Sequence, residues 1–88
     1  MTHDELQITI ENAFAPLRIV SEIWGYQEKI RFAVFDGDEM LFHAGDDKRK
    51  DVPIPIRDGD RIQAEIEKGR EPLNSKGYSL HHWKKLGD

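Results

Sequence analysis

Asp58-Gly-Asp-Arg-Ile-Gln-Ala-Glu-Ile-Glu67 joins a tight-turn signal to an alternating run, and the reading of that run decides the fold. Asp beside Gly tolerates the backbone geometry that turns require. From Arg61 to Glu67, Ile62, Ala64 and Ile66 alternate with Arg61, Gln63, Glu65 and Glu67. A period of two places alternate side chains on opposite faces, the pattern of a half-buried strand. The run is therefore expected to be a strand, the most regular in the chain, with Ile62, Ala64 and Ile66 facing inward.

The same pattern recurs upstream. Ile30, Phe32 and Val34 alternate with Lys29, Arg31 and Ala33, and Phe35 breaks the rule. Asp36-Gly37-Asp38-Glu39 is a hairpin turn between apolar runs, which makes Met40–Ala44 the return strand. Leu17–Tyr26 is rich in strand formers, with Gly25 at a bend or strand end. Gly45–Asp51 has no apolar side chain and reads as an exposed loop. Pro53 and Pro55 bracket Ile54 in an extended piece that cannot lie mid-sheet, because proline has no ladder donor. Gly69–Gly77, with Pro72, Asn74 and Ser75, reads as a loop, and Tyr78–Lys84 as a last short strand or turn.

Residues 4–17 fit two patterns. Leu6, Ile10, Ala13, Phe14 and Leu17 have helical spacing, and Thr2-x-x-Glu5 has the form of a capping box. Leu6, Ile8 and Ile10 also alternate with polar neighbours, and Ile8-Thr9-Ile10 is β-branched, which favours a strand. A strand over 6–11 is the preferred reading, with a short N-terminal helical segment as the alternative. Four to six short strands joined by turns must close or pack to hide their edges. The fold class expected is mainly β: a small antiparallel β-barrel in one domain over residues 1–88.

Ile30-Arg-Phe-Ala-Val-Phe-Asp36, then a short strand, then Ile56-Arg-Asp-Gly-Asp-Arg-Ile-Gln-Ala-Glu-Ile66, resembles the middle of an OB-fold across residues 17–67. In that family a long curved strand enters a hairpin, and a later strand opening on Gly-Asp closes the barrel. SH3-like barrels open strands in the same way. Gly45–Pro55 departs from the pattern, since many OB-folds carry a helix there. The resemblance implies a small barrel, OB-like or SH3-like, and no particular activity.

The chain has 88 residues, no cysteine and a formal net charge of −4. Without cysteine there is no disulfide and no thiolate ligand or nucleophile. No apolar run approaches the ~20 residues that span a bilayer, and the acidic start, Met1–Glu5, is unlike a secretory signal. These features fit a cytoplasmic protein with no membrane partner. Charge is unevenly spread: residues 1–44 carry eight acids and three bases, residues 45–88 nine acids and ten bases. Between residues 68 and 85, Lys68, Arg70, Lys76, Lys84 and Lys85 face only Glu71.

That basic segment also holds Tyr78 and Trp83. Single-strand binders combine cations that follow the phosphates with aromatic faces on which bases stack. Lys76, Tyr78, Trp83, Lys84 and Lys85 are therefore the candidate nucleic-acid-binding residues. Against this, Tyr78, Leu80 and Trp83 also fit as core residues sealing the domain's end, with solvated lysines around them. Trp24, Tyr26 and Phe35 form the alternative candidate, an aromatic patch for a protein partner. Adjacent His81 and His82 would point to opposite faces of a strand, and His3 and His43 are distant in sequence, so no metal site is expected. The carboxylates around Asp36 and Asp58 are accounted for by turn chemistry. Lys48-Arg49-Lys50 is flanked by Asp46, Asp47 and Asp51, which screen it as a loop tip. Neither a nucleophile elbow nor a phosphate loop is present. The expected function is a binding module without cofactor or catalytic residues, for single-stranded nucleic acid or for another protein.

Overall fold

A computed structural model describes residues 3–26, 28–80 and 83. Helix α1 (His3–Phe14) leads through a turn containing a cis Ala15–Pro16 peptide into strand β1 (Arg18–Trp24). Strands β2 (Lys29–Asp36), β3 (Glu39–Ala44) and β4 (Ile54–Pro55) follow, and helix α2 (Gly59–Ser75) comes last. A 3-10 turn over Asp47–Arg49 lies within the loop between β3 and β4.

The sheet is antiparallel and open, in the order β1-β2-β3, with β4 also paired to β2. Lys29 and Ile30 of β2 meet β1 on one side and Pro55 and Ile54 on the other, so β4 continues the line of β3. The barrel expectation is thereby overturned. The run meant to close it, Arg61–Glu67, lies inside α2, and residues 6–11 lie inside α1.

Both errors have one cause. Residues four apart satisfy a period of two and also a helical period. Ile62 and Ile66 are buried, as are Leu6 and Ile10, under either reading. The residue between each pair decides. Ala64 is exposed and Ile8 is 54% exposed, where a strand would have turned both inward. The buried series then runs Leu6, Ile10, Ala13, Phe14 along α1 and Ile62, Ile66, Gly69, Leu73 along α2. Thr9 tolerates the helix by donating its hydroxyl to the Glu5 carbonyl at 2.8 Å. The Thr2 cap lies outside the described residues.

The turn signal at Asp58 is a helix start. Its side chain accepts from the Arg61 amide at 3.0 Å, satisfying an orphan donor of the first turn. Asp60 in that turn complements the helix dipole. The expected loop over 69–77 is mostly helix. Pro72 lies inside the helix, where it removes the amide that would donate to the Lys68 carbonyl, one turn before the helix ends. Gly77, at φ +94°, ends the helix. The Tyr78 amide donates to the Leu73 carbonyl and the Gly77 amide to the Asn74 carbonyl, each at 3.1 Å, a Schellman cap. This cap folds Tyr78 back over the core.

Both helices cover the face of the sheet that bears Ile30, Phe32 and Val34. Phe14, Phe32 and Phe42 meet there, with ring centroids 5.9 to 6.3 Å apart. Gly69 of α2 lies directly over them. A Cβ at this position would stand 2.7 Å from Cδ2 of Phe42 and 3.0 Å from Cζ of Phe14. Glycine is therefore needed here for close approach, and its presence within a helix reflects packing.

Gly69→Ala is expected to lower stability by about 1–2 kcal/mol, because ring displacement outweighs the gain of about 1 kcal/mol in helix propensity. Ala64→Lys should change stability by no more than about 0.5 kcal/mol, and Ile66→Ala should cost about 2–5 kcal/mol. Urea denaturation measures all three. A stabilising Gly69→Ala, or a severe loss on Ala64→Lys, would contradict this packing.

Candidate interaction surface

With the helices on one side, the alternation of the strands brings a second set of residues to the other. The register pairs Arg18 with Phe35, Val20 with Ala33, Glu22 with Arg31, and Trp24 with Lys29. All eight share the uncovered face. Met40, opposite Phe35, and His43, opposite Ala33, extend it onto β3.

Two arginines organise this face. The Arg18 guanidinium lies 4.5 Å above the Phe35 ring centroid and donates to the Gly37 carbonyl at 3.2 Å. The Arg31 guanidinium lies 5.0 Å from the Trp24 ring centroid. It also donates to Glu22 at 2.7 Å and Asp46 at 3.4 Å, and lies 3.8 Å from Asp47. The hydrogen bond to Glu22, followed by the field of the three acids, raises its already high pKa. Arg31 is thus a fixed cation that pins the β3–β4 loop to the sheet. His43 Nδ1 sits 2.5 Å from Asp51 Oδ2 and holds the loop's far end. Among the described residues no nucleophile is bonded to the other ring nitrogen of His43.

Beside these groups lies a shallow groove of about 290 Å³, floored by Val20, Ala33, Phe35 and Met40 and walled by Arg31, Asp46 and Lys48. Val20 is 49% exposed there. Tyr26, also from the expected aromatic patch, is fully exposed, but it projects from the β1–β2 turn at φ 58°. It lines a separate cleft of about 580 Å³ with His3, Lys29 and Arg57. Trp24 and Phe35 therefore share a face, each beneath an arginine, and Tyr26 stands apart.

The basic C-terminal candidates are placed differently from one another. Trp83 is 7% exposed and belongs to the core, 5.8 Å from the Arg70 guanidinium. Arg70 itself turns inward to donate to the Ala13 carbonyl at the end of α1, and burial lowers its pKa. Tyr78 is half-buried against the core, and its hydroxyl donates to Asp36 at 3.0 Å. That bond is the main reason its pKa is raised. Lys76 is exposed at the end of α2. Lys84, Lys85, His81 and His82 lie outside the described residues.

The two edges of the sheet differ. The β3–β4 edge is broken by a register shift at Val34/Phe35, by the loop at 45–53 and by Pro53 and Pro55. Gly45, at φ +76°, lets this loop depart, since a Cβ there would meet the Ile30 carbonyl at 2.5 Å. The β1 edge has seven residues in unbroken register, without proline or glycine. Among the described residues nothing bonds to its outer side between Arg18 and Ile23. Sequence reasoning missed Arg18, Val20, Glu22 and Arg31 as surface-forming residues. The placing of Arg18 and Glu22 out of phase with Ile19 and Ile23 was the sequence signal available for β1.

Among the described residues no group of acids and histidines could hold a metal ion, and no helix is long and apolar enough to cross a membrane. Comparison with family models, curated proteins and solved structures finds no match.

The Tyr78–Asp36 bond can be tested by titration. The phenol donates only while protonated, and its pKa in the folded chain lies above the ordinary value of about 10. Its stabilising contribution is therefore complete below that value and lost as pH rises through the raised one. Ultraviolet titration of the tyrosines should show Asp36→Asn bringing Tyr78 back towards the ordinary range. An unchanged titration would contradict the bond.

Proposed function

We propose that this chain is a protein-interaction module acting through the β1 side of its uncovered sheet face, without a catalytic step of its own. The observation that carries this reading is the β1 edge, unpaired among the described residues, beside half-exposed Val20. An edge strand presents unpaired amides and carbonyls, a template for another chain. Natural sheets usually blunt such edges, as the β3–β4 edge here is blunted. The neighbouring groove supplies apolar contact, and the arginine-capped rings of Trp24 and Phe35 supply a rigid, amphipathic border.

The competing reading, single-stranded nucleic acid bound by the C-terminal segment, has less support. Base stacking needs open aromatic faces. Trp83 is buried, and Tyr78 packs on the core with its hydroxyl committed to Asp36. The net charge of −4 also disfavours a polyanion.

A photo-crosslinking residue placed at Val20 is expected to trap protein, and the same residue at Ala64, on the outer face of α2, to trap little. Fluorescence anisotropy of a labelled single strand should stay flat at low salt. Absence of protein adducts at position 20, or single-strand binding with a steep salt dependence, would overturn the proposal.

A further inference from the structure

We infer that the partner at this edge is a second copy of the chain, paired antiparallel along β1 with a two-fold axis through Val20. The inference rests on the interaction reading above and adds the occupant and its register.

Symmetry restricts the choices. A two-fold axis normal to the sheet keeps the helices of both copies on the same side, and residues that meet across the new pair must share a face. The axis therefore passes through a residue and not between two. Through Glu22, it would set that carboxylate against its own copy, and like charges directly opposite are destabilising. Through Ser21, it would set Val20 against Glu22, an apolar group against a carboxylate. Through Ile19, it would set Arg18 against Val20 and leave Arg18 and Glu22 without each other.

An axis through Val20 gives complementary pairs on the uncovered face and sets Ile19 against Ser21 on the other. Arg18 of each copy stands opposite Glu22 of the other, so two cross-strand ion pairs form on the uncovered face. Val20 meets Val20 between them. On the helical face, Leu17 meets Ile23 twice, and both are half-buried apolar residues at the margin of the core. The charges have spare capacity for these contacts. Among the described residues Glu22 gives Oε2 alone, to Arg31, and its side chain is 57% exposed. Arg18 spends one nitrogen on the Gly37 carbonyl. The pairing satisfies the outer backbone groups of β1 and joins the two grooves into one uncovered face.

Sedimentation equilibrium of the full chain should show a mass rising with concentration towards twice that of the monomer. Arg18→Glu and Glu22→Arg each set like charges opposite one another twice, so each should weaken association about tenfold or more. An equimolar mixture of these two variants restores opposite charges at both positions and should recover association as a heterodimer. Val20→Lys, which sets two ammonium groups together on the axis, should also abolish it, and circular dichroism should show each variant folded. A wild-type chain monomeric at every concentration, or a mixture that fails to recover, would overturn the inference. If the chain stays monomeric while the crosslinker at Val20 traps a different protein, self-pairing falls and the interaction reading stands. If that crosslinker traps no protein, both fall.

Discussion

The meeting of Gly69 with the Phe14–Phe32–Phe42 cluster is the constraint on which the rest of this structure depends. Three rings from α1, β2 and β3 converge beneath one position of α2. Aromatic pairs of this kind contribute about 0.5–1.5 kcal/mol beyond their burial, a large fraction of what a domain this small has to spare. The missing side chain at Gly69 lets the helix backbone come down onto the rings. Ile62, Ile66 and Leu73 can then reach the same core that Leu6 and Ile10 reach from α1.

Everything on the opposite side follows from this one-sided packing. With both helices on one face, the sheet has nothing to close against and stays open. Its other face is finished by cation–ring contacts and ion pairs in place of an apolar layer. Arg31 serves two ends there, covering Trp24 and holding the acidic start of the β3–β4 loop. That loop, with its prolines, ends pairing along one edge of the sheet. The β1 edge keeps a regular seven-residue strand, and the surface chemistry of the molecule is concentrated beside it.

Local signals in the sequence were sufficient for part of this fold. The alternation of Ile30, Phe32 and Val34, the Asp36-Gly37 turn and the proline-bracketed Ile54 all stand where the chain pattern placed them, because turn chemistry and proline geometry act within a few residues. Helix α2 was not legible and α1 was legible only as the alternative reading, since Leu6/Ile10 and Ile62/Ile66 fit both periods and only tertiary packing exposes Ile8 and Ala64. Gly69 and Pro72 looked like loop residues because close approach to a ring leaves no mark on neighbouring sequence. For the site, the aromatic residues could be picked out but their surroundings could not. Trp83 is drawn into the core by the fold-back after α2, and Tyr78 is aimed at Asp36 by a helix cap. The covering of Trp24 and Phe35 by arginines depends on cross-strand register, which a composition-level reading of β1 does not contain.

The most direct measurement is the pattern of nuclear Overhauser contacts around residues 59–75 in labelled protein. Contacts from the Gly69 α-protons to the rings of Phe42 and Phe14, with sequential amide–amide contacts along the whole segment, are the expected result. Strand-type backbone contacts between residues 61–67 and a neighbouring strand would close the sheet, bury the uncovered face and contradict the account at its base.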